Sequence, residues 1–301
     1  MRLVPVAMVT ALALLVGAAA ASSGSKPTGQ IVFGMNHYCR GQSGRPPTDC
    51  GKGEIAVVDA NGTGLRVLTH DKVTETSPVW SPNHEQIAYL RPRAHTSDQV
   101  WVMNADGTNQ HALTHFTVAP QLYGNSVTTD LTWSPDGQEL VFAAYANTDG
   151  GLEQLYEVSV RTHAVHQLTR LHTGATQPEW SPDGRWIAFV SGVAPDRIYL
   201  FSPKTHKAHR VGHATGLGIA WSPSSKKLVF NSRGKLETVN TAGTRYHSLG
   251  AWGADPSWSP DGRWIVFTYG DYVKEIRPNG KGIRHILYVT SKQGENFEPD
   301  W

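Results

Sequence analysis

The chain has 301 residues, with 27 Lys and Arg against 25 Asp and Glu, 10 Trp, 30 Gly, 18 Pro and 2 Cys. Near-neutrality without any run of basic residues excludes a nucleic-acid binder, because phosphate contacts need a concentrated cationic surplus. The Gly, Pro and Trp content describes a turn-rich globular chain and excludes a coiled coil or a disordered tail.

Residues 1–21 read as an export signal. Arg2 gives the positive start, Leu3–Val16 is almost wholly apolar, and the small residues from Ala18 to Ser22 place a peptidase site after Ala20 or Ala21. The same stretch is long enough to persist as an N-terminal anchor. With cleavage no membrane span remains, and the mature chain is secreted or periplasmic. Residues 22–29 form a flexible tether, and residues 30–301 a single domain.

That domain opens with the apolar triplet Ile31-Val32-Phe33, a buried strand. Cys39 and Cys50 follow, separated by a Gly- and Pro-rich segment that cannot continue a strand. In an exported chain two such cysteines most simply form one disulfide that staples a loop. A zinc pair is the alternative, and two thiols without a second pair make a poor zinc site.

The remainder is a repeat. Trp-Ser-Pro occurs at Trp80, Trp133, Trp180, Trp221 and Trp258, spaced 53, 47, 41 and 37 residues apart. These are periods of a four-stranded propeller blade. Seven to nine residues after each Trp comes an aliphatic, aliphatic, aromatic triplet, as in Ile87-Ala88-Tyr89 and Leu140-Val141-Phe142. Such a run is apolar on both faces because neighbouring blades cover both. Third strands follow at Val100–Met103, Leu155–Val158 and Ile198–Phe201, then turns such as Asn61-Gly62 and Asp106-Gly107, then fourth strands closing on Leu68-Thr69, Leu113-Thr114 and Leu168-Thr169. No amphipathic helix is predicted between residues 30 and 301. The first triplet has no Trp before it, whereas Phe297–Trp301 resembles the segments that lead into Trp180 and Trp258. The C-terminal strand is therefore expected to complete the first blade. The predicted fold is an all-β, six-bladed β-propeller of four-stranded antiparallel blades, its ring closed by that strand.

The repeated Pro-x-Trp-Ser-Pro-Asp-Gly, followed by an Ile-Ala-Phe-type strand, resembles the WD-repeat-like blades of the TolB-type propeller family, with copies across residues 31–301. The resemblance implies a six-bladed, export-side propeller that binds another protein or a small ligand. TolB itself carries an N-terminal α/β domain that this sequence lacks. Peptidases and oligogalacturonate lyases use related propellers, and the peptidases append a hydrolase domain with a Gly-x-Ser-x-Gly elbow, a motif not present here.

Propeller connectivity puts the loops joining second to third strands, and fourth to next first strands, on one face. The short Ser-Pro-Asp-Gly and Asn-Gly turns lie on the other. The long, varied loops mark the first face as the binding face. His70, His115 and His213 hold equivalent positions in three blades, Arg170 stands there in a fourth, and His172 follows two residues later. Convergent histidines could hold a metal, although solvated loop-base residues repeated by duplication have the same pattern. Ligand contacts are expected among His70, His115, Tyr123, Arg170, His172, His213 and Trp252. No catalytic residue, metal ligand or cofactor is expected. The function expected from the sequence is a non-catalytic, monomeric binding module for a protein, peptide or glycan of the cell envelope. The alternative is a metal-assisted polysaccharide lyase or hydrolase with a histidine site at the channel mouth.

Overall fold

Every Trp-Ser-Pro copy ends one strand and starts a turn for the same reason. The buried serine hydroxyl accepts the backbone N–H five residues on, for example Gln86 N–H to Ser81 Oγ (2.9 Å) and Trp186 N–H to Ser181 Oγ (3.0 Å), and in four copies it donates to an acidic or amide side chain two residues on, as Ser181 Oγ does to Asp183 (2.8 Å), while Ser222 Oγ meets the Ser224 hydroxyl (3.2 Å). The residue four after the Trp takes a left-handed φ in all five copies. Gly137, Gly184 and Gly262 do so freely, while His84 (φ 56°) and Ser225 (φ 56°) do so in the imperfect repeats.

The computed structural model describes residues 29–38, 49–71, 73–92, 98–115, 131–145, 152–192, 196–270, 272–288 and 299–301. The expected export signal, the expected tether up to residue 28, and Cys39 lie outside them, as does the side chain of Cys50, so the expected disulfide does too. Blade 1 contains β1 (Gln30–Tyr38), β2 (Asp49–Asp59) and β3 (Arg66–Val67); blade 2 contains β4 (Thr76–Trp80), β5 (Gln86–Arg91), β6 (Gln99–Asn104) and β7 (His111–Ala112). Blade 3 follows with β8 (Leu131–Trp133), β9 (Glu139–Tyr145), β10 (Glu153–Ser159) and β11 (Val165–Gln167), and blade 4 with β12 (Thr176–Trp180), β13 (Ile187–Ser191), β14 (Arg197–Ser202) and β15 (Lys207–Thr215). Blade 5 holds β16 (Leu217–Trp221), β17 (Lys227–Ser232), β18 (Lys235–Asn240) and β19 (His247–Trp252); blade 6 holds β20 (Ala254–Trp258), β21 (Ile265–Tyr269), β22 (Tyr272–Ile276) and β23 (Arg284–Tyr288). Each blade is an antiparallel meander in chain order.

The expected closure is present. Val32 and Asp300 exchange two backbone hydrogen bonds, each 2.9 Å, so the C-terminal segment lies inside blade 1 where that blade has no strand of its own. Six apolar layers then fill the six spaces between blades. Between blades 1 and 6, Ile31, Phe33 and Val58 meet Trp264, Val266 and Trp301; between blades 4 and 5, Val190 and Leu200 meet Trp221 and Phe230. Second strands such as β13 are buried along their whole length because both faces meet a neighbouring blade.

The outer turns lock the same interfaces. The turn between third and fourth strands presses against the fourth strand of the preceding blade. A Cβ on Gly62 would come 2.5 Å from the carbonyl oxygen of Ile286, and one on Gly280 would come 2.7 Å from that of Leu249.

Ser181 is fully buried, and alanine there strands the Trp186 N–H. Ser181→Ala is expected to destabilise the protein by about 1–3 kcal/mol in denaturant titration, and Asp183→Ala, at the exposed end of the same turn, by less. Deleting residues 297–301 exposes the inner edge of blade 1 and is expected to lower the melting temperature and cause aggregation; an unchanged melting curve would show that closure does not depend on this segment.

Candidate functional site

The innermost strands carry a second repeated irregularity. Three residues before the Trp, four of them bulge, with register breaks at Thr76/Val79, Thr176/Glu179, Leu217/Ala220 and Ala254/Ser257. The bulged residue is left-handed each time: Ser77 (φ 53°), Gln177 (φ 50°), Gly218 (φ 59°) and Asp255 (φ 46°). A β-bulge re-aims its side chain, and three of these four are not glycine, so each carries a backbone cost of order 1–2 kcal/mol.

All four line one cavity of about 90 Å³ on the ring axis, to which every blade contributes. Its polar lining includes Ser77, Gln177, Glu179, Asp255, Ser257 and Asp300, and no Lys, Arg or His is among the lining residues. Burial pushes the carboxyls of Asp255 and Asp300 above the ordinary carboxylate range, because water no longer solvates the charge. Hydrogen bonds pull back only in part. Asp255 accepts from the Thr268 hydroxyl (3.1 Å), and Asp300 from the Trp80 N–H (2.8 Å) and the Ser257 hydroxyl (3.1 Å). The Ser77 hydroxyl is buried without a hydrogen-bond partner.

The residues singled out from the sequence stand elsewhere. His70, His115, Arg170, His172 and His213 are exposed, as is Trp252 (56%), while Tyr123 lies outside the described residues. His213 sits within β15, its N–H donating to the Tyr246 hydroxyl (2.7 Å), and its Nδ1 lies 3.3 Å from Arg210 Nη2. Among the described residues, no three of His, Cys, Asp and Glu gather to hold a metal ion.

Beneath His70, His115 and Arg170 lies a repeated lock. Thr69, Thr114 and Thr169 each accept a backbone N–H fourteen residues back at 2.9 Å, from Ile55, Val100 and Leu155. Each hydroxyl then donates onward, to Glu75 (3.1 Å), Gln99 (3.1 Å) and Gln154 (3.0 Å) respectively. Glu75 is thus a carboxylate where the other two blades use an amide. Burial, aided by nearby Asp71, raises its pKa to about 7, although Arg91 lies 3.3 Å away and also pairs with Asp71.

Residues 48–301 match the family model described as the TolB beta propeller domain. The chain belongs to that family. By fold it is similar to TolB from Acinetobacter baumannii, with a TM-score of 0.70 at 21% identity over 92% of this chain and 67% of that one. Among curated proteins it is 25% identical to the uncharacterized peptidase YuxL of Bacillus subtilis over 67% of this chain, and 25% identical to dipeptidyl-peptidase 5 of Porphyromonas endodontalis over 72%. The chain spans about a third of the length of these two relatives, 31% and 32%.

Those relatives correct the expectation of a non-catalytic module. It rested on finding no nucleophile motif in the sequence, yet the curated relatives it matches are named peptidases, and the matched stretch covers only about a third of each. A propeller without a nucleophile of its own is therefore no evidence against enzymatic activity. The channel residues escaped the sequence reading for a different reason. Their signal is a polar residue directly before Pro and three before Trp, as in Ser77-Pro78, Gln177-Pro178 and Asp255-Pro256, which resembles ordinary strand-edge punctuation.

Two outcomes follow from these environments. Ser77→Gly removes an unpartnered hydroxyl and a left-handed Cβ, and is expected to stabilise the fold by roughly 1 kcal/mol, read as a rise in melting temperature of about 2 °C. Glu75 has its folded-state pKa raised, so its stabilising contribution is complete below the ordinary value of 4.5 and is lost as pH rises through about 7. Between pH 5 and pH 8 the wild type should lose stability relative to Glu75→Gln, whose amide keeps the Thr69 hydrogen bond; parallel melting curves for the two proteins would refute this.

Proposed function

We propose that this propeller binds a polypeptide on its long-loop face, with a basic group of the ligand seated in the channel on the ring axis. The observation that carries the reading is the channel lining, in which Glu179, Asp255 and Asp300 contribute carboxylates and no cationic residue takes part. A lysine ammonium, an arginine guanidinium or a free amino terminus entering there meets negative charge in a site of low dielectric, where each charge pair is stronger than in water. The strain held at Ser77, Gln177 and Asp255 agrees with this, since left-handed non-glycine residues persist where function needs the side chain.

Polypeptide is also the ligand class of proteins named as peptidases. The ring then serves peptide processing of the kind for which those relatives are named, by holding the chain to be cut. His70, His115, Arg170, His172, His213 and Trp252 frame the face that the ligand crosses, and they offer donors to its carbonyl and carboxylate oxygens. The export signal expected over residues 1–21 and the membership of the TolB family support a location outside the cytoplasm for this activity.

Fluorescence anisotropy with a lysine-rich and a glutamate-rich peptide tests the reading. The lysine-rich peptide should bind and the glutamate-rich one should not. Glu179→Gln should weaken binding by about tenfold, and Asp183→Ala, on the opposite face, should leave it unchanged. Retention of the peptide by Glu179→Gln together with its loss by Asp183→Ala would place the ligand on the wrong side of the ring.

A further inference from the structure

The large apolar side chains left in solvent are not spread around the ring. Among the described residues seven are exposed, and all seven belong to blades 5 and 6. Five of them stand where strands reach the long-loop face: Leu217 opens β16, Trp252 closes β19, Tyr269 closes β21, Tyr272 opens β22 and Tyr288 closes β23. The connections between second and third strands on that face are also shortest in blades 5 and 6. β17 and β18 are joined through the two-residue turn Arg233-Gly234, both left-handed, and β21 and β22 through residues 270–271, whereas the corresponding loops of blades 2 and 3 span residues 92–98 and 146–152. The result is a shelf paved with aromatic rings.

The pavement is ordered. Tyr269 is directly opposite Tyr272, and Tyr272 directly opposite Tyr288, so the three side chains share one side of the sheet. Alternation along β21 puts Tyr269 on the side of Ile265 and Phe267, which face blade 5. The Tyr272 and Tyr288 ring centroids are 4.8 Å apart, and His285 meets Tyr272 edge-on at 4.7 Å. Lys274 Nζ lies 4.4 Å from the Tyr269 ring and 5.4 Å from the Tyr272 ring. On blade 5, Lys235 Nζ lies 5.2 Å from the Trp252 indole, which rests on Gly234, but register puts this pair on the side of its sheet that faces blade 4, apart from the tyrosine row.

We propose that this shelf binds a carboxylate-bearing polysaccharide. Tyr and Trp present flat apolar faces edged with polar groups, which matches a sugar ring with its apolar C–H face and hydroxyl periphery. A row of rings one strand apart suits a polymer of linked sugar rings better than one buried anchor, and an open shelf lacks the desolvating pocket in which a peptide anchor residue gains its affinity. Charge selects the acidic class. Lys274 stands among the tyrosine rings, within cation–π reach of two of them. Of the acidic residues close by, Glu275 is buried and paired with Arg284, Asp255 points into the channel, and Glu237 lies two residues along β18 from Lys235, with Asp271 outside the described residues. The shelf is distinct from the channel, so this inference does not depend on the peptide reading.

Affinity electrophoresis of the full chain through gels containing alginate or dextran tests it. Alginate is expected to retard the wild type, added salt to reduce that retardation, and neutral dextran to have no effect. Tyr272→Ala and Lys274→Ala should each weaken alginate binding by about fivefold, while Tyr272→Phe, which keeps the ring, stays near wild type and all three bind the lysine-rich peptide normally. An unretarded wild type, equal retardation by dextran, or full competition by polyglutamate, which would make the shelf a dock for acidic protein, each overturns the proposal. So does alginate affinity that is unchanged in a correctly folded Tyr272→Ala.

Discussion

One carboxylate holds three blades together. Asp300 pairs through its backbone with Val32 of blade 1, accepts the Trp80 N–H of blade 2 on one oxygen, and accepts the Ser257 hydroxyl of blade 6 on the other. Any closed ring needs its first and last units fastened to each other, because an open arc leaves two sheet edges and one apolar layer in water. Here the fastening is electrostatically costly, since the group is buried and its pKa is raised. Thr132, at the same place in blade 3, captures the Trp180 N–H (2.9 Å) with a neutral hydroxyl. Blades 3 and 4 are consecutive in the chain and need no stronger clasp.

Strain is distributed along the same radial line. At the outer turns, Gly62, Gly107, Gly243 and Gly280 supply the left-handed conformation without a side chain, and close backbone approach of the neighbouring blade demands it. His163 and His206 take that role in blades 3 and 4. On the axis the preference reverses, with Ser77, Gln177 and Asp255 adopting the same conformation where glycine would be easier. The periphery is optimised for packing. The axis keeps polar side chains at a cost in stability, which is the pattern expected of a binding channel.

Much of this architecture is legible in the sequence because it rests on local rules repeated six times. The Trp-Ser-Pro spacing, the triplets of β5, β9, β13, β17 and β21, and the glycine turns each report a backbone requirement that any single blade must meet. Closure by the segment ending at Trp301 could be read for the same reason, since the missing strand of one repeat had a match at the far end of the chain. The channel could not be read in this way. Whether Glu179 or Asp255 faces the axis depends on a one-residue bulge that shifts the side-chain alternation, and periodicity cannot show that shift. The aromatic shelf was missed because Tyr269, Tyr272 and Tyr288 lie on three strands and become neighbours only through register. Trp252 was noticed, but without its companions. His70, His115 and His213 stood out by their equivalent positions in three blades, and the structure leaves each of them exposed.

The contact that closes the ring joins residues 32 and 300, whereas the hairpins within blades 2 to 6 join residues a few positions apart. Such hairpins form early and locally, while a contact between distant residues waits for almost everything else to be in place. While the chain is still being made or delivered, five blades can assemble as an incomplete arc. During that interval, the inner edge of blade 1 and the apolar layer around Ile31, Phe33 and Trp264 are open to neighbouring molecules. The time between the emergence of the first strand and that of Asp300 is thus the period of greatest exposure to chaperones, proteases and other copies of the chain.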